Sequence, residues 1–177
     1  SYSVTGVQTC ALPILGTFSK ILAPGFRIAW TVAHGDLMKK MVIAKQAVDL
    51  HTNTFGQRIA CIYCNNYLEK HLVKILDFYR IKRNVIMSAL EKYMPKECKW
   101  TKPEGGMFVW IELPEYVDTK EMFLDAINSN VAYVIGSAFY KEDTLGRNKM
   151  RLNFSYPTDE EIDIAVKTLS EVIRRWL

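Results

Sequence analysis

Gly16-Thr17-Phe18-Ser19-Lys20-Ile21-Leu22-Ala23-Pro24-Gly25-Phe26-Arg27 gathers two hydroxyls, one amine, a Pro-Gly turn and an arginine within twelve positions. Thr17 and Ser19 are neutral donors for a phosphate, and Arg27 is a charged fork that matches a phosphate dianion. Lys20 is the only amine between them. A lysine so flanked suits an aldehyde-bearing phosphate ligand, because its amine condenses with a carbonyl to a Schiff base. A surface turn with a solvated lysine is the competing account. The arginine and the Pro-Gly spacing weigh against it.

Downstream, Ile28-Ala29-Trp30-Thr31-Val32-Ala33 is β-branched and aromatic, the pattern of a buried strand. Asp36 is placed to cap a helix reaching about Leu50, with Leu37, Met41, Ala44 and Val48 on one face. After the polar break 49–54, one helix is expected over Thr54–Tyr67 and a longer one over Lys70–Tyr93, stopped before Pro95. The longer helix would span roughly 36 Å, enough to connect two lobes. Leu72, Leu76, Tyr79, Arg83, Ile86, Leu90 and Tyr93 form its stripe, expected to be buried.

From Cys98 the pattern shortens. Cys98–Thr101 and Met107–Leu113 read as an antiparallel pair around a Pro103-Glu104-Gly105-Gly106 turn, with the aromatics of the second strand assigned to the core. A helix over Thr119–Ser129 and strands over Val131–Ile135 and Met150–Ser155 follow. Thr158-Asp159-Glu160-Glu161 is a capping box that opens a last helix with Ile162, Val166, Leu169, Ile173 and Trp176 on one face. The succession is that of an α/β protein.

The totals fit one domain, or one and a half: 177 residues, 49% hydrophobic and 24% charged, allow a real core. A net charge of +4 without blocks of like charge does not suggest a nucleic-acid surface. The apolar runs are short for a membrane span, and a cytoplasmic setting is expected. Cys61 and Cys64 have C-x-x-C spacing, but a zinc site needs two more ligands and His34, His51 and His71 are scattered. No metal is expected, and the pair is assigned to the core of its helix.

GTFSKILAPGFR resembles the cofactor-lysine segment of the class I/II (fold-type I) pyridoxal-phosphate aminotransferases. The nearest branch in resemblance is that of 2-aminoadipate aminotransferases and the aminotransferase-like half of MocR-type regulators. AHGDLMKKMVIAKQAVDLHT, PEGGMFVWIELP, VAYVIGSAFY and MRLNFS continue it in the family's order, from Leu15 to Leu177. One departure is Ile135, where the family usually carries proline before the glycine, which bears on the stiffness of that loop.

The resemblance implies pyridoxal 5'-phosphate as cofactor, bound covalently by Lys20, with Thr17, Ser19 and Arg27 holding its phosphate and Arg151 binding the substrate α-carboxylate. It implies amino transfer between an L-amino acid (2-aminoadipate, glutamate, branched or aromatic) and a 2-oxo acid, by a homodimer. The alternative is the effector-binding domain of a MocR-type transcription regulator, the one setting in which nucleic acid would be a partner. A lyase or decarboxylase on the same fold is a third reading.

The family's phosphate loop, cofactor-stacking ring and ring-facing aspartate have no counterpart before Leu15. The chain is therefore expected to be a C-terminal portion, inactive alone. Residues 15–69 would belong to the large cofactor-binding domain, and 70–177 to a connecting helix and the small domain. Where the family has a buried strand before Gly16, this chain has Pro13, which would interrupt a central ladder. GVQTCALPI resembles translated sequencing-adapter DNA, and residues 1–14 are expected to be a non-native scar.

Overall fold

The structure, a computed structural model, describes residues 13–142 and 144–177, so most of the segment read as a scar lies outside the described residues. Two compact units make up the chain, Ser1–Ile75 and Leu76–Leu177.

In the first unit, β1 (Ile14–Thr17) pairs antiparallel with β2 (Ala29–Val32), Gly16 opposite Trp30. Pro13 stands just ahead of β1, where its missing N–H breaks no ladder bond. The Trp30 ring lies over Gly16 so closely that a Cβ there would collide with it. A 3₁₀ turn, Pro24–Phe26, lies between the strands, and α1 (Gly35–Val48) follows. His34, not Asp36, holds the N-cap position, and Asp36 sits in the first turn.

Burial here is sparse. Ile28 is buried, but Trp30 and Val32 of β2 are 47% and 58% exposed, and α1 has no buried residue. The strand and helix expected to be covered are open because the two-stranded sheet offers only one hydrogen-bonded partner and no further layer among the described residues.

One helix, α2 (Thr54–Tyr93, 40 residues), replaces the two expected. No glycine or proline stands between Gly56 and Pro95, so nothing in the backbone chemistry interrupts the ladder. The unit boundary falls inside this helix, and only the far end of its stripe is buried. Within the second unit Leu76, at its start, is still 58% exposed, and burial sets in further along, with Ile86 and Leu90 at 3% and 0%. Cys61 is exposed and Cys64 half-buried, so neither is the core residue expected; both lie on the open half of α2.

The second unit is built on an antiparallel sheet ordered β3-β4-β6-β5, from Lys99–Trp100, Phe108–Glu112, Lys149–Asn153 and Val134–Ile135. Val109, Ile111, Met150 and Leu152 face the core, together with Ile86 and Leu90 of α2 and Ile162, Val166, Leu169 and Ile173 of α4 (Asp159–Arg174). Each such fully buried aliphatic side chain contributes roughly 1.5–3 kcal/mol. Both halves of the predicted capping box are present: Glu161 N donates to Thr158 Oγ1 (3.2 Å) and Thr158 N to Glu161 Oε2 (2.7 Å). Lys82 of α2 reaches the same corner, donating to Pro157 O (2.6 Å) and Asp159 Oδ1 (2.9 Å).

Several elements are shorter than predicted, α3 (Phe123–Asn128) and β5 among them. Helix α3 covers only these six residues, because Thr119 is fully buried with its backbone N donating to Arg147 O and its hydroxyl to Arg147 O or Lys149 O. That ties the segment ahead of α3 to the β6 side instead of a first helical turn. Strand β5 is limited to two residues, paired Val134 to Arg151 and Ile135 to Met150.

Candidate active site

The stretch from Thr17 to Arg27 forms one closed loop in the first unit. Phe18 N donates to Ile28 O at 3.1 Å across its neck, and Leu22 N donates to Phe18 O at 2.9 Å to form the first turn. Thr17 Oγ1 accepts from Ser19 N (3.1 Å) and donates to Ser19 Oγ (2.8 Å) or Ile28 O (3.3 Å). Accepting from Thr17 leaves the Ser19 hydroxyl its own hydrogen to donate. Lys20 is exposed in the turn that follows. At the far end Arg27 takes the left-handed conformation, φ 53° and ψ 38°, with its N and Nη1 both donating to Pro24 O (3.2 and 3.1 Å). A non-glycine residue there is uncommon and marks a position its surroundings fix.

Arg27 also lines a cavity of about 420 Å³ with Asp49, His51, Asn53, Phe55 and Ile59. Asn53 Oδ1 accepts from Gly56 N at 2.8 Å, tying down the loop that enters α2.

Arg151 belongs to the second unit. On β6 it lies directly opposite Trp110 of β4 and Val134 of β5, on the sheet face turned away from Val109, Ile111, Met150 and Leu152. Its guanidinium carbon lies over the rings of Phe108 (4.1 Å) and Phe139 (4.6 Å), both within cation–π range. Trp110 meets Phe139 edge-on at 5.3 Å. The Nε atom of Arg151 is buried and has no hydrogen-bond partner. A buried donor left unpaired costs about 1–3 kcal/mol, so the position calls for an acceptor.

The structure thus brings Thr17, Ser19, Lys20 and Arg27 into one loop and places Arg151 in a separate aromatic setting. Trp110 corrects one expectation. Trp110 is not sheet core, since strand alternation puts Val109 and Ile111 there and turns it toward Arg151, whereas Phe108 is partly buried against the core and also lies under the guanidinium. That alternation was the signal available in the sequence for Trp110; nothing local marked Phe139.

Residues 4–169 match the family model described as aminotransferase class I and II. The chain is 53% identical over 161 residues to the aromatic-amino-acid aminotransferase 1 of Thermococcus litoralis, covering 90% of this chain and 38% of that protein. Against the solved kynurenine aminotransferase of Pyrococcus horikoshii, in complex with PMP, identity is 51% and the TM-score 0.85, over 92% of this chain and 40% of that one. Against the alpha-aminoadipate aminotransferase of Thermus thermophilus, complexed with N-(5'-phosphopyridoxyl)-L-leucine, the values are 36% and 0.84, over 93% and 42%. The chain spans about two fifths of the length of these relatives. By its family match and these likenesses, it belongs to the class I and II aminotransferases.

Proposed function

We propose that this chain supplies the lysine-bearing loop and the carboxylate-binding arginine of a pyridoxal-phosphate aminotransferase acting between an L-amino acid and a 2-oxo acid. The observation that carries the reading is Arg151, a half-buried guanidinium whose Nε is left without an acceptor. A carboxylate fits, because it takes two in-plane N–H bonds from a guanidinium at once. The relatives add the substrate range, aromatic amino acids and aminoadipate among them.

The residues of the loop fit the cofactor. Ser19 has a hydroxyl hydrogen to donate, Thr17 braces it, Arg27 brings a fixed positive charge, and Lys20 presents an exposed amine. Bound there, pyridoxal 5'-phosphate supplies an aldehyde for amines and an electron sink for the substrate α-carbon. Lys20 Nζ is the base at that α-carbon, holding and returning its proton. Arg151 fixes the carboxylate, so the bond to that proton keeps one orientation. Residues 15–69 are assigned to the large cofactor-binding domain and 70–177 to the connecting helix and small domain, with a cytoplasmic homodimer as the whole assembly.

Borohydride reduction of the chain incubated with pyridoxal 5'-phosphate, followed by peptide mass mapping, tests the reading. The pyridoxyl group is expected on Lys20 in large excess over exposed lysines such as Lys39 and Lys40. An even spread over surface lysines would overturn it. DNA upstream of the Ile14 codon separates enzyme from regulator, since only the regulator places a winged-helix reading frame there.

A further inference from the structure

Phe139 is a half-exposed aromatic, 47% open, on a 3₁₀ turn and not in the core. Its ring contacts are with Arg151 and Trp110. The turn begins at Gly136, which is buried and lies so close to the carbonyls of Lys149 and Gly146 that a Cβ would collide with both. Lys149 is two residues before Arg151 on the same strand. The backbone of the turn is therefore pressed against the strand whose arginine its aromatic residue covers.

We infer that Phe139 is a positioning residue for Arg151: with Trp110 braced against its edge, it holds the guanidinium over Phe108 and keeps Nε buried and aimed for a carboxylate. The inference rests on the carboxylate reading of Arg151 and adds to it the group that orients the fork. Phe108 is fixed by the β4–β6 ladder, with Asn153 as its partner. Phe139 stands on a short turn, so the hold on the guanidinium depends on that turn. A leucine at 139 retains an apolar side chain but has no π face for the cation. It should release Nε to water without unfolding the sheet, whose core lies on the opposite face.

The test is arginine-side-chain NMR on the full chain, following the Arg151 Nε–Hε signal, assigned by its loss in Arg151→Gln. The probe is 4-methylpentanoate, with the uncharged 4-methylpentanamide as control. In the wild type the Nε proton exchanges slowly with water, and the carboxylate shifts its signal while the amide does not. Phe139→Leu is expected to speed that exchange and weaken carboxylate binding, each by about tenfold, the scale of one desolvated cation–π contact. Phe139→Tyr should restore both. Phe139→Met replaces the leucine variant should its backbone spectrum show loss of fold.

If the carboxylate leaves the Arg151 signal of the wild type unmoved, the carboxylate reading falls and the inference with it. If the carboxylate binds wild type and Phe139→Leu alike, with unchanged exchange, the inference alone falls.

Discussion

The guanidinium carbon of Arg151 stands 4.1 Å from the centre of the Phe108 ring, while its Nε is buried with no hydrogen-bond partner. A cation held by π faces keeps its in-plane N–H groups for a planar anion. Arg151→Gln is therefore expected to lower carboxylate affinity by at least about 30-fold, the lower end of the roughly 2–5 kcal/mol for a buried charge pair losing one partner. Pyridoxyl labelling of Lys20 should not change. Arg151→Lys should recover only part of the loss, because an ammonium cannot form the bidentate pair. Equal loss of labelling and carboxylate binding would show that Arg151 acts on the fold instead.

Arg27 and Lys20 are separable by ligand. Arg27→Ala removes a charge from the end of the loop and leaves the lysine in its turn. Affinity for pyridoxal 5'-phosphate should fall by at least about tenfold, since charge-assisted bonds are roughly twice as strong as neutral ones. Affinity for pyridoxal, which has no phosphate, should hold. Lys20→Ala should abolish specific labelling with either aldehyde. A parallel loss of both ligands in Arg27→Ala would refute the phosphate role; the readout is reduced pyridoxyl peptide by mass spectrometry.

What could be read in advance divides along physical lines. The capping box at Thr158 and the face of α4 were legible because cap chemistry and helical period act within a few residues. The β3–β4 pair was legible for the same reason, as alternation around a Gly-Gly turn is local. The break expected near Leu68–Lys70 had no glycine or proline behind it, and α2 runs through. Burial was the harder property. The first-unit strand Ala29–Val32 has a core composition but stands open, because burial depends on what packs against it and not on the strand's own residues. Within the candidate loop, the turn at Pro24 and Gly25 was legible from spacing. The aromatic setting of Arg151 was not, since Phe139 reaches it only through the fold of the turn after β5.

The corner where α4 begins offers a stability test. Thr158 Oγ1 accepts from Glu161 N, and Lys82, 8% exposed, bonds to Pro157 O and Asp159. Thr158→Ala should cost about 1 kcal/mol, the usual value of an N-cap hydroxyl. Lys82→Met should cost about 1 kcal/mol by stranding the part-buried Pro157 carbonyl, partly offset by the apolar replacement. Denaturant unfolding of each variant measures both. No change in midpoint for Lys82→Met would mean that the Pro157 carbonyl finds water in its place.

Cys98 sets the alkaline limit of the second unit. Burial is the main reason its thiol is pushed up to about 11, with Glu97 adding to the rise and Arg174 opposing it. Burial also raises the Tyr133 hydroxyl, which donates to Thr119 O. In both cases the neutral form is favoured in the fold, so the unfolded chain ionises first. The stability is fully present below the unfolded thiol value near 9.0 and is lost as pH rises through about 11. Urea midpoints should be level near neutral pH and fall steadily above about pH 9. Cys98→Ala should lower the neutral-pH midpoint slightly and flatten the first part of that fall, leaving the part due to Tyr133. The same burial predicts reactivity. At about pH 8 only about one Cys98 thiol in a thousand would be ionised. Alkylation of the folded chain should reach exposed Cys61 well before Cys98. Cys98 reacting as fast as Cys61 under native conditions would show that the core of the second unit opens readily.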